Sequence, residues 1–230
     1  MMANAYELPL RQGAEALGLT LSDTQIAQLL GYHVLIQKWN KVYNLTAIRD
    51  PAEMLTHHLL DSLAIVAPLR IRLAGLAYEQ DGAHDAEEHD YLYKLLDVGA
   101  GAGLPGVILA ICCPDIHITC VDAVAKKMAF VQQVATELKL PNLKVLHARV
   151  ETLTEKYDII TSRAFATLLD FVVGSRAALK PATGVWLAMK AKDTSVEVVE
   201  LPSDVAVFHV EQLTVPGLDA ERCIVWMKFV

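Results

Sequence analysis

The chain has 230 residues, 53% of them hydrophobic and 20% charged. That balance excludes a disordered chain and a small disulfide-stapled one, and the length suffices for one large core. Twenty Lys and Arg against 27 Asp and Glu leave a formal charge of −7, which does not describe a strongly basic nucleic-acid module.

No apolar run approaches the ~18 residues of a membrane span. Residues 1–10 lack a basic segment followed by an apolar one, so no secretory signal is expected. The first seventy residues read as helical. Ser22 is placed as the N-cap of a helix whose apolar positions Ile26, Leu29, Leu30, Ile36 and Trp39 recur at helical spacing. A polar loop, 40–46, follows, with one lysine and one tyrosine. Asp50 caps a second helix with Pro51 in its first turn, and Pro68 is expected to end it. His57, His58 and Asp61 share this helix. No fourth ligand accompanies them, so no metal is expected there; packing and hydrogen bonding beside the substrate pocket is the expected role.

Residues 75–92 hold six acids and no Lys or Arg, which predicts a solvated, mobile insertion without an assigned role. Without those six acids the charge of −7 becomes −1. A basic face elsewhere is then compatible with the composition, and a nucleic-acid partner is not excluded.

From residue 91 the pattern alternates. Strands are predicted at 91–98, 116–122, 143–146, 157–161 and 185–189, and helices at 104–113, 124–140 and 165–179. A closing antiparallel pair is expected at 205–210 and 223–229. Strands separated by helices imply βαβ units and a mostly parallel sheet. Cys112, Cys113, Cys120 and Cys223 have neither disulfide nor metal spacing and are read as reduced core residues.

The most informative segment runs from Leu96 to Gly106, Leu-Asp-Val-Gly-Ala-Gly-Ala-Gly-Leu-Pro-Gly. A strand ends, the chain turns on residues without side chains, and a helix begins with free N–H groups. Gly101, Gly103 and Gly106 satisfy the dinucleotide fingerprint, and Asp122 ends the next strand where a carboxylate accepts ribose hydroxyls. S-adenosyl-L-methionine (SAM) uses a similar glycine loop and ribose clamp. Asp97, two residues before Gly99, favours SAM, because a carboxylate repels a pyrophosphate and suits a cationic amino-acid group. A nicotinamide or flavin cofactor and a purely structural turn remain alternatives at this point.

Further segments line up with that loop: Tyr43-Asn44-Leu45-Thr46, His57-His58-Leu59-Leu60-Asp61-Ser62-Leu63, Arg149-Val150-Glu151 and Ser162-Arg163-Ala164-Phe165. Together they closely resemble the bacterial small-subunit ribosomal RNA methyltransferase G family, from about residue 20 to the C-terminus. Ala102 stands where that family usually has proline, Ala191 follows Lys190 where it usually has glycine, and the acidic insertion is unusually long. The resemblance implies a Rossmann-like SAM-dependent methyltransferase fold. Its mostly parallel seven-stranded sheet would carry an antiparallel C-terminal strand and follow a helical N-terminal extension. The corresponding divisions are residues 1–74 for the extension, 75–92 for the insertion and 93–230 for the methyltransferase domain, packed with the extension as one unit.

The resemblance further implies a cytoplasmic enzyme that methylates N7 of one guanine in 16S ribosomal RNA, as free RNA or in the small subunit. Gly99 and Leu104 would line the SAM pocket beside Gly101, Gly103, Asp97 and Asp122. Val150 and Glu151 would flank the adenine, and Arg163 would also touch the cofactor site. Guanine N7 carries an in-plane lone pair and no proton, so in-line positioning replaces a general base. No catalytic nucleophile is expected; Arg163, Lys190 and His58 are candidates for positioning. Other readings are a SAM-dependent enzyme acting on a small molecule or protein, and a nucleotide-cofactor module without transferase activity. A monomer is expected.

Overall fold

Successive residues of a strand point to opposite faces, so a strand covered by helices on both sides is apolar throughout. That is the pattern of the central strands. The computed structural model describes residues 5–79, 93–163, 167–191 and 194–230.

Strands β1 (Tyr93–Val98), β2 (Ile116–Asp122), β3 (Leu143–His147), β4 (Ile159–Arg163), β5 (Val185–Lys190), β6 (Val205–Leu213) and β7 (Arg222–Phe229) form one sheet in the order β3-β2-β1-β4-β5-β7-β6. All run parallel except β7, which is antiparallel to both of its neighbours. The expected sheet and its antiparallel final strand are thus present. Between the parallel strands lie α6 (Gly106–Cys112), α7 (Ala125–Glu137), α8 (Leu168–Ser175) and the short α9 (Ser195–Val199).

The N-terminal region supplies α1 (Glu7–Ala16), α2 (Asp23–Tyr43), α3 (Pro51–Met54), a π-helical stretch (Leu55–Leu60), α4 (Asp61–Leu63) and α5 (Val66–Glu79). Ser22 caps α2 in a capping box with Gln25, and Asp50 caps α3 through the N–H groups of Ala52 and Glu53, both as expected. Pro68 departs from expectation. It lies in the first turn of α5 instead of ending a helix, because the N–H that proline lacks has no partner in a first turn. Helix α8 starts at Leu168, three residues later than predicted, capped by Thr167. Strand β4 starts at Ile159, and Tyr157 makes only an isolated bridge to Leu179. The division expected at residue 75 falls within α5. The predicted insertion lies mostly outside the described residues, as do Ala164 and Phe165.

Two apolar layers sandwich the sheet. Leu95, Ile118, Ile159 and Trp226 pack on the side of α2, α6 and α7, and Leu96, Val121, Ile160 and Val225 on the side of α8. The first layer also takes in Leu10, Leu29, Tyr32, Ile36 and Leu59, so the N-terminal helices share the core of the sheet. All four cysteines are buried, and none forms a disulfide among the described residues. Among the described residues no helix is long and apolar enough to cross a membrane.

Candidate functional site

The order β3-β2-β1-β4-β5 reverses direction between β1 and β4, and open α/β sheets bind ligands at the carboxyl ends of strands beside such a reversal. The carboxyl ends of β1 and β4 carry Asp97 and Arg163.

After Val98 the chain bends sharply. Gly99 and Ala100 both donate their N–H to Val121 O, at 2.9 and 3.1 Å, and Gly103 donates to Ala100 O at 2.7 Å. From α2, the Tyr32 hydroxyl donates to Ala102 O at 2.6 Å and ties the turn to the N-terminal helices. Gly99 and Gly101 hold φ of +66° and +60°, which L side chains rarely adopt. Gly99 is exposed, and a Cβ on Gly101 would meet only Gly99 O, at 3.8 Å, so open space lies before this face of the turn. Gly106 differs. A Cβ there would lie 2.4 Å from Cys120 Sγ and 2.8 Å from Asp97 Oδ2, so this glycine lets helix and sheet approach.

Asp97 is completely buried beneath the turn. Its Oδ2 accepts the Gly106 N–H at 2.8 Å and faces the Cys120 thiol at 3.9 Å. Its Oδ1 is buried without a hydrogen-bond partner among the described residues. Burial pushes the carboxyl up to about 7, against the opposing pull of the Gly106 N–H and the Arg163 charge. An orphaned carboxylate oxygen of this kind suits a ligand ammonium or a bound water. Asp122 accepts the Gly101 N–H at 3.0 Å through Oδ2 and the Val124 N–H at 2.8 Å through Oδ1. It holds the turn in shape; Lys127 Nζ lies 3.6 Å from Oδ2, and Oδ1 retains a second lone pair for a further donor.

Leu104 is buried in the core at the end of the turn. Val150 lies in a 3-10 turn after β3 (Val150–Thr152) and packs in one cluster with Val98 and Val121, the last apolar residues of β1 and β2. Glu151 beside it is exposed. The residues expected around a nucleoside therefore share one edge of the sheet.

Arg163 closes the other side of the reversal. Its Nη1 donates to His57 O at 2.8 Å and to Asp61 Oδ2 at 3.1 Å, while Nη2 lies 3.4 Å from His58 Nδ1. Arg222 Nε donates to the second Asp61 oxygen at 2.9 Å. His58 Nε2 is 2.8 Å from Thr46 Oγ1. Burial, then the Arg163 charge, lowers the His58 imidazole to about 4, so it is neutral at pH 7. A neutral ring accepting from Arg163 at Nδ1 carries its proton on Nε2 and donates it to Thr46. The π-helical stretch sets this arrangement, since its wider turn presents His57 O, His58 and Asp61 to one guanidinium.

Lys190, a candidate for meeting substrate, is engaged elsewhere. Its Nζ lies 2.8 Å from Glu197 Oε2, which also accepts the Leu168 N–H, so it fastens the starts of α8 and α9. Sequence reasoning missed three participants: Tyr32, Arg222 and Asn40, whose side chain bonds Thr46 N and Ile48 O. Arg222 left one signal, a lone cation opening the apolar run Cys223 to Trp226.

Comparison with known proteins gives the chain its relatives. The family described as rRNA small subunit methyltransferase G matches residues 25–72 and 81–225. A relative from Paracidovorax citrulli (strain AAC00-1), named Ribosomal RNA small subunit methyltransferase G, is 59% identical over 226 residues, covering 98% of this chain and 91% of the relative. One of the same name from Albidiferax ferrireducens is 62% identical over 222 residues, covering 96% of both chains. Among solved structures, a SAM-dependent methyltransferase from Aquifex aeolicus superposes with a TM-score of 0.50 at 16% identity, over 79% of this chain and 99% of that one. TrmN from Thermus thermophilus superposes with a TM-score of 0.51 at 15% identity, over 74% of this chain and 49% of that one. At such identities the two structures speak for the fold alone.

Proposed function

The chain belongs to the rRNA small subunit methyltransferase G family, and from that premise we propose that it methylates N7 of one guanine in 16S ribosomal RNA, in the cytoplasm and as a monomer. SAM, when bound, supplies the sulfonium methyl group. The residues fit it. The open backbone of Gly99 and Gly101 gives a nucleoside close approach, with Gly103 and Leu104 completing the turn. Asp97 Oδ1 accepts from the amino-acid ammonium and Asp122 from the ribose hydroxyls. Val150 and Glu151 flank the adenine, and Arg163 closes the pocket from β4. His58 supports Arg163, and Lys190 keeps α8 and α9 in place at the neighbouring strand end.

The observation that carries the choice of N7 is the state of the polar cluster facing Arg163. Both ring nitrogens of His58 are engaged, and both oxygens of Asp61 are held by arginines. His58 and Asp61 are thus occupied in holding Arg163, Arg222 and Thr46, away from the role of a general base. That supports an acceptor atom that has no proton to lose, for which the chain has only to orient the base and exclude water. An A-form helix hides its major groove, so the guanine is read from a loop or splayed out of its stack. The test is incubation of the protein and labelled SAM with 16S rRNA from cells lacking the modification. N7-methylguanine at a single position is the expected product; label in another base or at another guanine atom overturns the assignment.

A further inference from the structure

Several cations of the fold are neutralised locally, as Arg70 is by Asp115, Arg176 by Asp204 and Lys180 by Asp158. The C-terminal end of α2 gathers several cations that are not. Lys38 and Lys41, one helical turn apart, and Arg49 in the following loop are all exposed, and none forms an ion pair among the described residues. Arg49 has a neutral neighbour instead, donating to Asn44 Oδ1 at 3.1 Å.

Lys41 and Arg49 line one pocket of about 260 Å³, with Asn40 as part of its wall. Asn40 is buried and both ends of its amide are engaged: Nδ2 donates to Ile48 O at 3.0 Å, and Oδ1 accepts from Thr46 N at 2.9 Å. These bonds pin the loop so that Arg49 returns to the pocket that Lys41 borders. The nearest acid in sequence, Asp50, turns its carboxylate onto the Ala52 and Glu53 N–H groups at 2.8 and 2.9 Å and is spent as a helix cap. The pocket therefore joins a point-like ammonium and a forked guanidinium, the donor set suited to a phosphate.

Its place in the fold is equally specific. Thr46 Oγ1, in the loop that Asn40 holds, contacts His58, and His58 contacts Arg163 at the carboxyl end of β4. A continuous polar chain thus runs from the pocket to the edge where methyl transfer takes place. We infer that the Lys41–Arg49 pocket receives a backbone phosphate of the RNA substrate and seats the strand that bears the target base. The inference rests on the rRNA reading above.

The experiment measures binding of unmodified 16S rRNA to the full chain over a salt series, for wild type and for the double variant Lys41→Gln/Arg49→Gln. Loss of one or two phosphate contacts lowers the slope of log K against log salt by about 0.7 for each, and weakens binding on the order of tenfold near 0.1 M salt. SAM affinity and the thermal midpoint stay at wild-type values, because both side chains are exposed. Arg49→Lys retains most of the affinity. Lys139→Gln, an exposed cation beyond the far end of α7, leaves the slope unchanged. Wild-type affinity and slope in the double variant overturn the pocket, as does an equal loss in Lys139→Gln, which would make the effect one of charge alone. These results are read against methylation by the wild type. If the wild type methylates the RNA and the double variant binds normally, only the pocket fails; if the wild type neither binds nor methylates it, the rRNA reading fails and takes the pocket with it.

Discussion

Asp97 is held between two demands. Folding encloses it, and enclosure disfavours its charge; a cationic ligand at Oδ1 requires that charge. The folded carboxyl lies near 7 against 3.8 for a free one. Between those values the folded chain holds a proton that the unfolded chain has released, so raising the pH through this window removes stability, and the loss is complete above about 7. The thermal midpoint of the ligand-free protein is therefore expected to fall from pH 5 to pH 8, and Asp97→Asn to flatten that fall. SAM favours the ionised form, so below pH 7 its binding should release a proton, visible by calorimetry in two buffers of different ionisation heat. A proton count of zero would remove Asp97 from the cofactor site. Gly99→Val tests the turn from outside. At φ +66° a branched side chain costs about 1–2 kcal/mol, and it occupies the open face, so SAM binding should vanish while circular dichroism stays native. Unchanged SAM affinity in that variant would contradict the assignment.

Helices and strands contribute to the site through a few cross-links. Asp61 is the clearest, with its two oxygens divided between Arg163 of β4 and Arg222 of β7. It is 4% exposed, so screening by water is weak. Asp61→Ala leaves two guanidiniums facing each other without a counter-charge and should destabilise the chain by about 3 kcal/mol in urea titrations. Arg222→Met, which removes a cation and keeps the packing of the stem, should cost less. Equal, small effects of both would mean that water already compensates the pair. Tyr32→Phe tests the strut between α2 and the glycine turn. It deletes one buried hydrogen bond, leaves Ala102 O without that donor, and should cost about 1–3 kcal/mol with a weakened SAM affinity.

The N-terminal helices and the sheet divide in sequence and unite in packing. Leu29, Tyr32 and Ile36 of α2 belong to the same apolar cluster as Ile108 of α6, Phe130 of α7 and Leu95 of β1. An assembly with one core melts as one. Trp39 reports on α2, its ring tilted against Phe130 with centroids 5.3 Å apart, and Trp186 and Trp226 report on the sheet. Tryptophan fluorescence and far-UV circular dichroism should give coincident urea transitions. Two separated transitions would show that the helical region unfolds on its own. The net charge of −7 does not oppose RNA binding, because phosphates respond to cations within about one Debye length, ~8 Å at physiological salt.

Much of this was legible in the chain alone. Short apolar runs separated by amphipathic ones specified a parallel α/β sheet, and Ser22 and Asp50 announced their helices through local capping chemistry. The glycine turn with Asp97 and Asp122 pointed to a nucleoside site, because backbone access and a carboxylate need only neighbouring residues to be recognised. Pro68 misled, since proline marks a helix start as readily as its end. Other features depend on contacts between residues far apart in sequence. Arg222 meets Asp61, Tyr32 meets Ala102, and Asn40 folds the loop that carries Arg49 to Lys41. The π-helical stretch likewise has no marker in its residues. Local chemistry is written in local order, whereas the state of a proton on Asp97 or His58 follows from burial and from neighbouring charge, which exist only once the sheet has brought its strand ends together.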